Sequence, residues 1–151
     1  MLKVFVAASI ILSCSAVQAQ SLYVDQNGNP VVTQENIHET ICVPGWTKTI
    51  RPPASYTTKL KIQQLRAAGL RGKASDYEED HVAPLCIGGN PTDPNNLRPQ
   101  LWKDAHEKDD LERFLCRSVC DEQILLKDAQ QAFFTDWRQA YNYYILHSSV
   151  P

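Results

Sequence analysis

The sequence predicts an α+β fold: a short, irregular β-hairpin and the helix after it, embedded among further helices and stabilised by disulfides. Three observations predict it. Apolar residues recur at helical spacing in the C-terminal third, at Ala129, Phe133, Trp137, Ala140, Tyr141 and Tyr144. Between 77 and 99, two short extended runs are separated by Gly88-Gly89-Asn90-Pro91 and Asp93-Pro94-Asn95, both strong turn signals. Four cysteines remain beyond the N-terminal leader, an even number that reads as two bridges.

Taken in order, Lys3 is followed by the apolar run 4–12, then small residues and Val17-Gln18-Ala19. That is the layout of a secretory signal peptide over 1–19, so the mature protein is expected to be exported, periplasmic or secreted. The run is too short to span a bilayer, and no other apolar stretch is long enough to do so. A buried first helix is the alternative. Ile11-Leu12-Ser13-Cys14 also bears a faint likeness to a lipoprotein signal, although Leu12 is unusual there. Residues 20–40 are polar, carry the turn Asn27-Gly28-Asn29-Pro30, and are expected to form a loosely structured extension. What remains is one domain over 41–147, long enough to bury a working core.

Within that domain, Pro52-Pro53 ends an extended piece. Ser55 or Thr57 then caps a helix running to about residue 68, stopped by Gly69. Residues 77–86 read as a strand, and 96–99 as a short extended return. Pro84 and Pro99 require strand ends or edges. A helix is expected over 103–119, with Leu111, Phe114, Leu115 and Val119 on one face, and another over 127–146. Cys116 and Cys120 stand at i, i+4, close but poorly angled for a mutual bridge. Each is therefore expected to reach Cys42 or Cys86, with the pairing open. A zinc site built from the cysteines is the competitor, but Cys42 and Cys86 lack close cysteine or histidine partners.

The formal charge is −2, and loss of Lys3 with the leader makes it one unit more negative. That argues mildly against a nucleic-acid partner, yet the distribution says more than the sum. Residues 40–75 hold no acid and carry Lys48, Arg51, Lys59, Lys61, Arg66, Arg71 and Lys73. Asp76, Glu78, Glu79 and Asp80 follow at once. A basic arm beside a carboxylate cluster suits a polyanion held over a metal. A solvated helix face with no partner is the plain alternative.

The chemistry-bearing residues come in the order Asp80-His81, Gly88-Gly89, Asn96-Leu97 and Ala105-His106-Glu107-Lys108, on a strand, a loop, a second strand and a helix. This order resembles the ββα-metal nuclease motif, HNH. Ile-Cys-Val-Pro-Gly-Trp-Thr at 41–47, Asn-Leu-Arg-Pro-Gln at 96–100, Lys-Asp-x-Leu-Glu at 108–112 and Asp-Trp at 136–137 are similar to exported bacterial proteins of the HNH-nuclease-like kind. The likeness covers about two-thirds of the chain, with an Asn-to-His gap slightly longer than the commonest pattern. It implies an HNH nuclease-like domain over 41–147.

Physical reasoning assigns roles beside that resemblance. His81, with a pKa near neutrality, can take a proton from the attacking water. Asp80 and His106 are the expected ligands of one divalent ion, Mg²⁺ or Mn²⁺ first, with Zn²⁺ or Ni²⁺ as alternatives. Asn96 is expected to hydrogen-bond the loop backbone and fix the geometry around His81. Lys59, Lys61, Arg66 and Arg98 are the expected phosphate contacts. Each has a plainer reading: His81 a structural histidine, His106 a surface one with Asp104 as the substitute ligand, Asn96 a turn residue. Lys108 and Glu112 either support the site or form an i, i+4 surface pair, and His38 and His147 lie outside any pattern.

The expected function is thus a metal-dependent endonuclease acting on DNA, and on RNA as a further substrate, with low sequence specificity. No membrane attachment is expected after the leader is removed. The alternatives are a catalytically inactive nucleic-acid or polyanion-binding module, and a disulfide-stapled interaction protein.

Overall fold

A computed structural model describes residues 21–147. The expected leader, 1–19, with Cys14, lies outside the described residues. Four α-helices and one two-stranded antiparallel sheet make up the fold: α1 (Trp46–Ile50), α2 (Ala54–Ala67), β1 (Tyr77–His81), β2 (Leu97–Leu101), α3 (Trp102–Cys120) and α4 (Leu126–Tyr141). The architecture is α+β with two disulfides, Cys42–Cys120 and Cys86–Cys116. The first ties the segment before α1 to the end of α3. The second ties the loop after β1 to the same helix. Both fit an oxidising compartment. No helix among the described residues is long and apolar enough to cross a membrane.

The main core lies between α3 and α4. Leu111, Leu115 and Val119 of α3 meet Leu126, Ala129 and Phe133 of α4, all at 4 % exposure or less. Trp137, Tyr141 and Tyr144 pack at its edge. Phe114 departs from its expected place on this face. It is exposed, with its ring 5.9 Å from that of Tyr144.

Residues 21–40 are not the loose extension that their polarity predicts. Val32 and Ile37 belong to the main core. Tyr23 N–H donates to the Gly88 carbonyl, and Asn90 N–H donates to the Ser21 carbonyl. A 3₁₀ turn, Gln34–Glu39, carries Ile37 inward. Two apolar side chains, these backbone bonds and the Gln34 side chain, which accepts the Leu126 N–H, together dock the segment.

α2 starts at Ala54, directly after Pro53 at φ −65°, rather than behind a Ser55 or Thr57 cap. Pro53 is the N-cap itself, with ψ 148° in the extended region, and its missing N–H costs the helix no bond. Gly69 at φ +60° ends the helix, and Leu70 N–H donates to the Leu65 carbonyl in the closing turn. β1 is shorter than the expected 77–86. It stops at His81, where the chain bends into a 3₁₀ turn at Leu85–Ile87. β2 is longer than expected and runs directly into α3.

The expected continuous helix over 127–146 is broken. Asp136 has φ −161° and ψ 100°, and its carboxylate accepts the N–H groups of Arg138 and Gln139. The aspartate caps a fresh helical start in competition with the helix ladder. A π-helical turn, Asn142–Leu146, follows α4.

The sheet is held between two helices. α2 packs on both strands, with Lys61 donating to the Tyr77 carbonyl and Gln64 to the Leu97 carbonyl. α3 packs on the other face, where Lys108 meets Asp80. Replacing Ile37, which is 2 % exposed, by Ala is expected to cost roughly 2–5 kcal/mol in urea unfolding. A loss under about 1 kcal/mol would mean that residues 21–40 are detachable from the core.

Candidate active site

β1 and β2 pair without a bulge, in the register Glu79↔Pro99, Asp80↔Arg98, His81↔Leu97. Side chains along β1 therefore alternate. Asp80 meets Lys108 of α3, whereas Glu79 and His81 line a cavity beside α2 that Glu78 also borders. Asp80 and His81 leave the backbone on opposite faces, and the strand ends at His81.

The loop after β1 is shaped by Asn96, which is fully buried. Its amide oxygen accepts the Ala83 N–H at 2.8 Å, and its amide nitrogen donates to the Ala83 and Asn90 carbonyls at 3.1 and 2.8 Å. Its own carbonyl accepts the Val82 N–H at 2.7 Å. Both ends of the loop are thus fastened to one side chain. Gly89 is required by the same packing, because a Cβ there would lie 1.8 Å from the Ala83 carbonyl oxygen.

That loop presents the Pro91 carbonyl to His81, whose Nε2 lies 3.1 Å from it. A carbonyl only accepts, so Nε2 carries the proton and Nδ1 holds the lone pair of the neutral ring. The ring is 6 % exposed. Burial pushes its pKa below the usual histidine value, against the Pro91 bond and the Asp80 charge, which favour the protonated form. A neutral ring with a lone pair is what a general base needs at neutral pH.

Behind the strand, Lys108 is 2 % exposed, so of its two readings the surface partner of Glu112 does not hold. Its ammonium lies 2.9 Å from Asp80 Oδ2 and 2.6 Å from Glu112 Oε1, and it donates to the His81 carbonyl at 2.8 Å. Three N–H groups meet three acceptors. Burial opposes the charge, but the two carboxylates outweigh it and hold Lys108 above the usual lysine value.

The two expected metal ligands differ in setting. Asp80 sits among carboxylates: Glu78 and Asp109 are both raised above their ordinary values, by burial first and then by the charge on Asp80. His106 is exposed on α3, its ring 5.8 Å from that of Trp102, and no hydrogen bond or ion pair joins it to Asp80 among the described residues. Asp104, the substitute, is paired with Arg138. No group of three or more His, Cys, Asp or Glu that would hold a metal occurs among the described residues. The donors around Asp80 are hard oxygens. They fit a hydrated Mg²⁺ or Mn²⁺ held by one or two carboxylates, rather than a Zn²⁺ or Ni²⁺ site rich in imidazole.

Of the expected phosphate contacts, Arg98 is exposed directly across the ladder from Asp80. Lys59 and Arg66 are exposed on α2. Lys61 is turned inward to the Tyr77 carbonyl at 2.7 Å and is not part of a free basic face. A cavity of about 310 Å³ opens on the α2 side of His81, lined also by Arg51, Thr57, Lys61, Glu79 and Trp102. Arg51 and Trp102 have no place in the sequence motif. Arg51 belongs to the basic stretch 40–75 and lies just before Pro52-Pro53, which was its only signal. Lys108 was more legible, since it falls on the same helical stripe as Ala105, Leu111 and Leu115.

Compared with protein-family models, curated proteins and solved structures, the chain finds no match.

Glu79 offers a direct check on the α2 face. Both its carboxylate oxygens are sealed from solvent without a hydrogen-bond partner among the described residues. Burial pushes its pKa up to about 7, with Lys61 opposing. The native state therefore binds a proton that the unfolded chain has lost. The stability this contributes is full below the ordinary value of 4.5 and is lost as pH rises to about 7. Glu79→Gln should raise stability over the wild type by roughly 1–2 kcal/mol at pH ~8, after discounting for solvent screening, with little gain at pH ~4.5. Urea titrations at the two pH values check this. An equal effect at both would contradict it.

Proposed function

We propose that this protein is an exported endonuclease of the ββα-metal, HNH, kind. It hydrolyses phosphodiester bonds of DNA, with RNA as a further substrate, and has low sequence specificity. The observation that carries the reading is His81: a buried, neutral imidazole at a strand end, its protonated nitrogen held by the Pro91 carbonyl. The antiparallel pair, the Asn96-fastened loop and the helix after it support the motif. Two disulfides and the leader-like N-terminus support export.

In this reading His81 Nδ1 takes the proton from the attacking water. Asn96 keeps the loop, and with it the Pro91 carbonyl, in place. Arg98 and Arg51 bind phosphate oxygens flanking the scissile bond, and Lys59 and Arg66 extend that contact along the strand. To share a phosphate with His81, a hard divalent ion held by Asp80, with Glu78 or Asp109, would have to sit at the end of β1, where the strand stops; when bound it supplies Lewis-acid neutralisation of the charge developing there. A second reading, an inactive polyanion-binding module, draws on the Lys108 ammonium already paired with Asp80.

Cleavage of plasmid DNA by the purified mature chain separates the two. The nuclease reading expects cleavage with Mg²⁺ or Mn²⁺, abolished by chelator and reduced by about 10²–10⁴ in His81→Ala. Intact DNA across several metals, together with salt-sensitive binding that His81→Ala leaves unchanged, would favour the binding module instead.

A further inference from the structure

Lys108 is the group behind the strand that the proposed chemistry does not use. It is nearly sealed, at 2 % exposure. Every proton of its ammonium has an acceptor: Asp80 Oδ2 at 2.9 Å, Glu112 Oε1 at 2.6 Å and the His81 carbonyl at 2.8 Å. The Phe133 ring lies 5.2 Å away and closes one side. One of the two oxygens of the carboxylate expected to receive a divalent ion is therefore held by an internal cation. Two positive charges cannot share one carboxylate without mutual repulsion, and this one sits where screening by water is weak. Glu112 pulls the ammonium the other way, from one helical turn along α3.

We infer that Lys108 is a built-in competitor for the divalent ion at Asp80, and that Glu112 sets the balance by drawing the ammonium away from it. Lys108 is a positioning residue in two respects. It holds the Asp80–His81 backbone in place when no ion is bound, and it lowers the affinity for the ion that Asp80 would hold. This rests on the metal-dependent reading of the site.

The test is Mn²⁺ binding by the mature chain at fixed pH and ionic strength, followed by the electron paramagnetic resonance signal of free Mn²⁺, with no substrate present. Lys108→Gln keeps an amide donor for the His81 carbonyl and removes the charge. It should bind Mn²⁺ about tenfold or more tightly than the wild type. Glu112→Gln leaves Asp80 as the ammonium's sole carboxylate partner and should weaken binding several-fold. The double variant Lys108→Gln/Glu112→Gln has the same net charge as the wild type. It removes both partners of the buried pair, which guards against failure of the single variant to fold. It should still bind more tightly than the wild type. Asp80→Asn should abolish binding in every background.

If the double variant equals the wild type, only net charge matters and the inference is overturned. If Lys108→Gln binds no better while Asp80→Asn still abolishes binding, the inference fails and the metal reading stands. If no variant binds Mn²⁺, both fall together.

Discussion

The rest of the site depends on one buried amide. Asn96 has no exposed surface and bonds Ala83 through both its amide oxygen and its amide nitrogen, with Asn90 as a third partner. A loop of this length, closing back on its own strand, carries backbone groups that need partners once buried. Asn96 supplies them from a single residue because its side chain both donates and accepts. The consequence reaches His81. The loop can present the Pro91 carbonyl to the imidazole only while its two ends stay fastened. Gly89 belongs to the same constraint, since nothing larger than a hydrogen fits against the Ala83 carbonyl.

The two faces of β1 do different work because the strand is regular. On the α2 face stand a histidine kept neutral by burial and a glutamate whose carboxylate oxygens lack hydrogen-bond partners among the described residues. On the α3 face a buried ammonium binds two carboxylates and the strand backbone. The link between the faces is main chain: Lys108 grips the carbonyl of the residue whose side chain points the other way. Buried ion networks of this sort are weak evidence for stability, since desolvation offsets much of the attraction. Their geometry is specific, however, and here it fixes the end of the strand on which the histidine is carried. The Cys86–Cys116 bridge fastens the loop to α3 a short distance further on.

Much of the fold was legible in the sequence, and the reasons are local. Gly69 and the turn residues at 88–95 act through their own φ preferences, so the C-terminal end of α2 and the loop between the strands follow from them. Helical apolar spacing located α3 and α4 to within a residue or so at their starts. What failed depended either on contacts between distant residues or on a local side-chain bond that apolar spacing does not register. The polar segment 21–40 is docked by Val32 and Ile37, which reach the core of α3 and α4, and by backbone bonds to the loop after β1. The break at Asp136 arises from a side chain outcompeting the helix ladder, which periodicity does not register. At the site, Asp80, His81 and Asn96 were visible as a motif, but the Pro91 carbonyl was not, because a backbone group carries no sequence signature. His106 shows the converse: its place in a motif said nothing about whether it would face Asp80.

The most direct test of the central claim is the protonation state of His81, read from the ring nitrogens by ¹⁵N NMR across pH ~5–8 and assigned with the His81→Ala variant. The loop geometry predicts the proton of the neutral ring on Nε2, and burial, outweighing the Pro91 bond, predicts a neutral ring at pH ~7 with an apparent pKa below the usual histidine value of 6.5. A ring protonated on Nδ1, or an imidazolium at pH ~7, would contradict it.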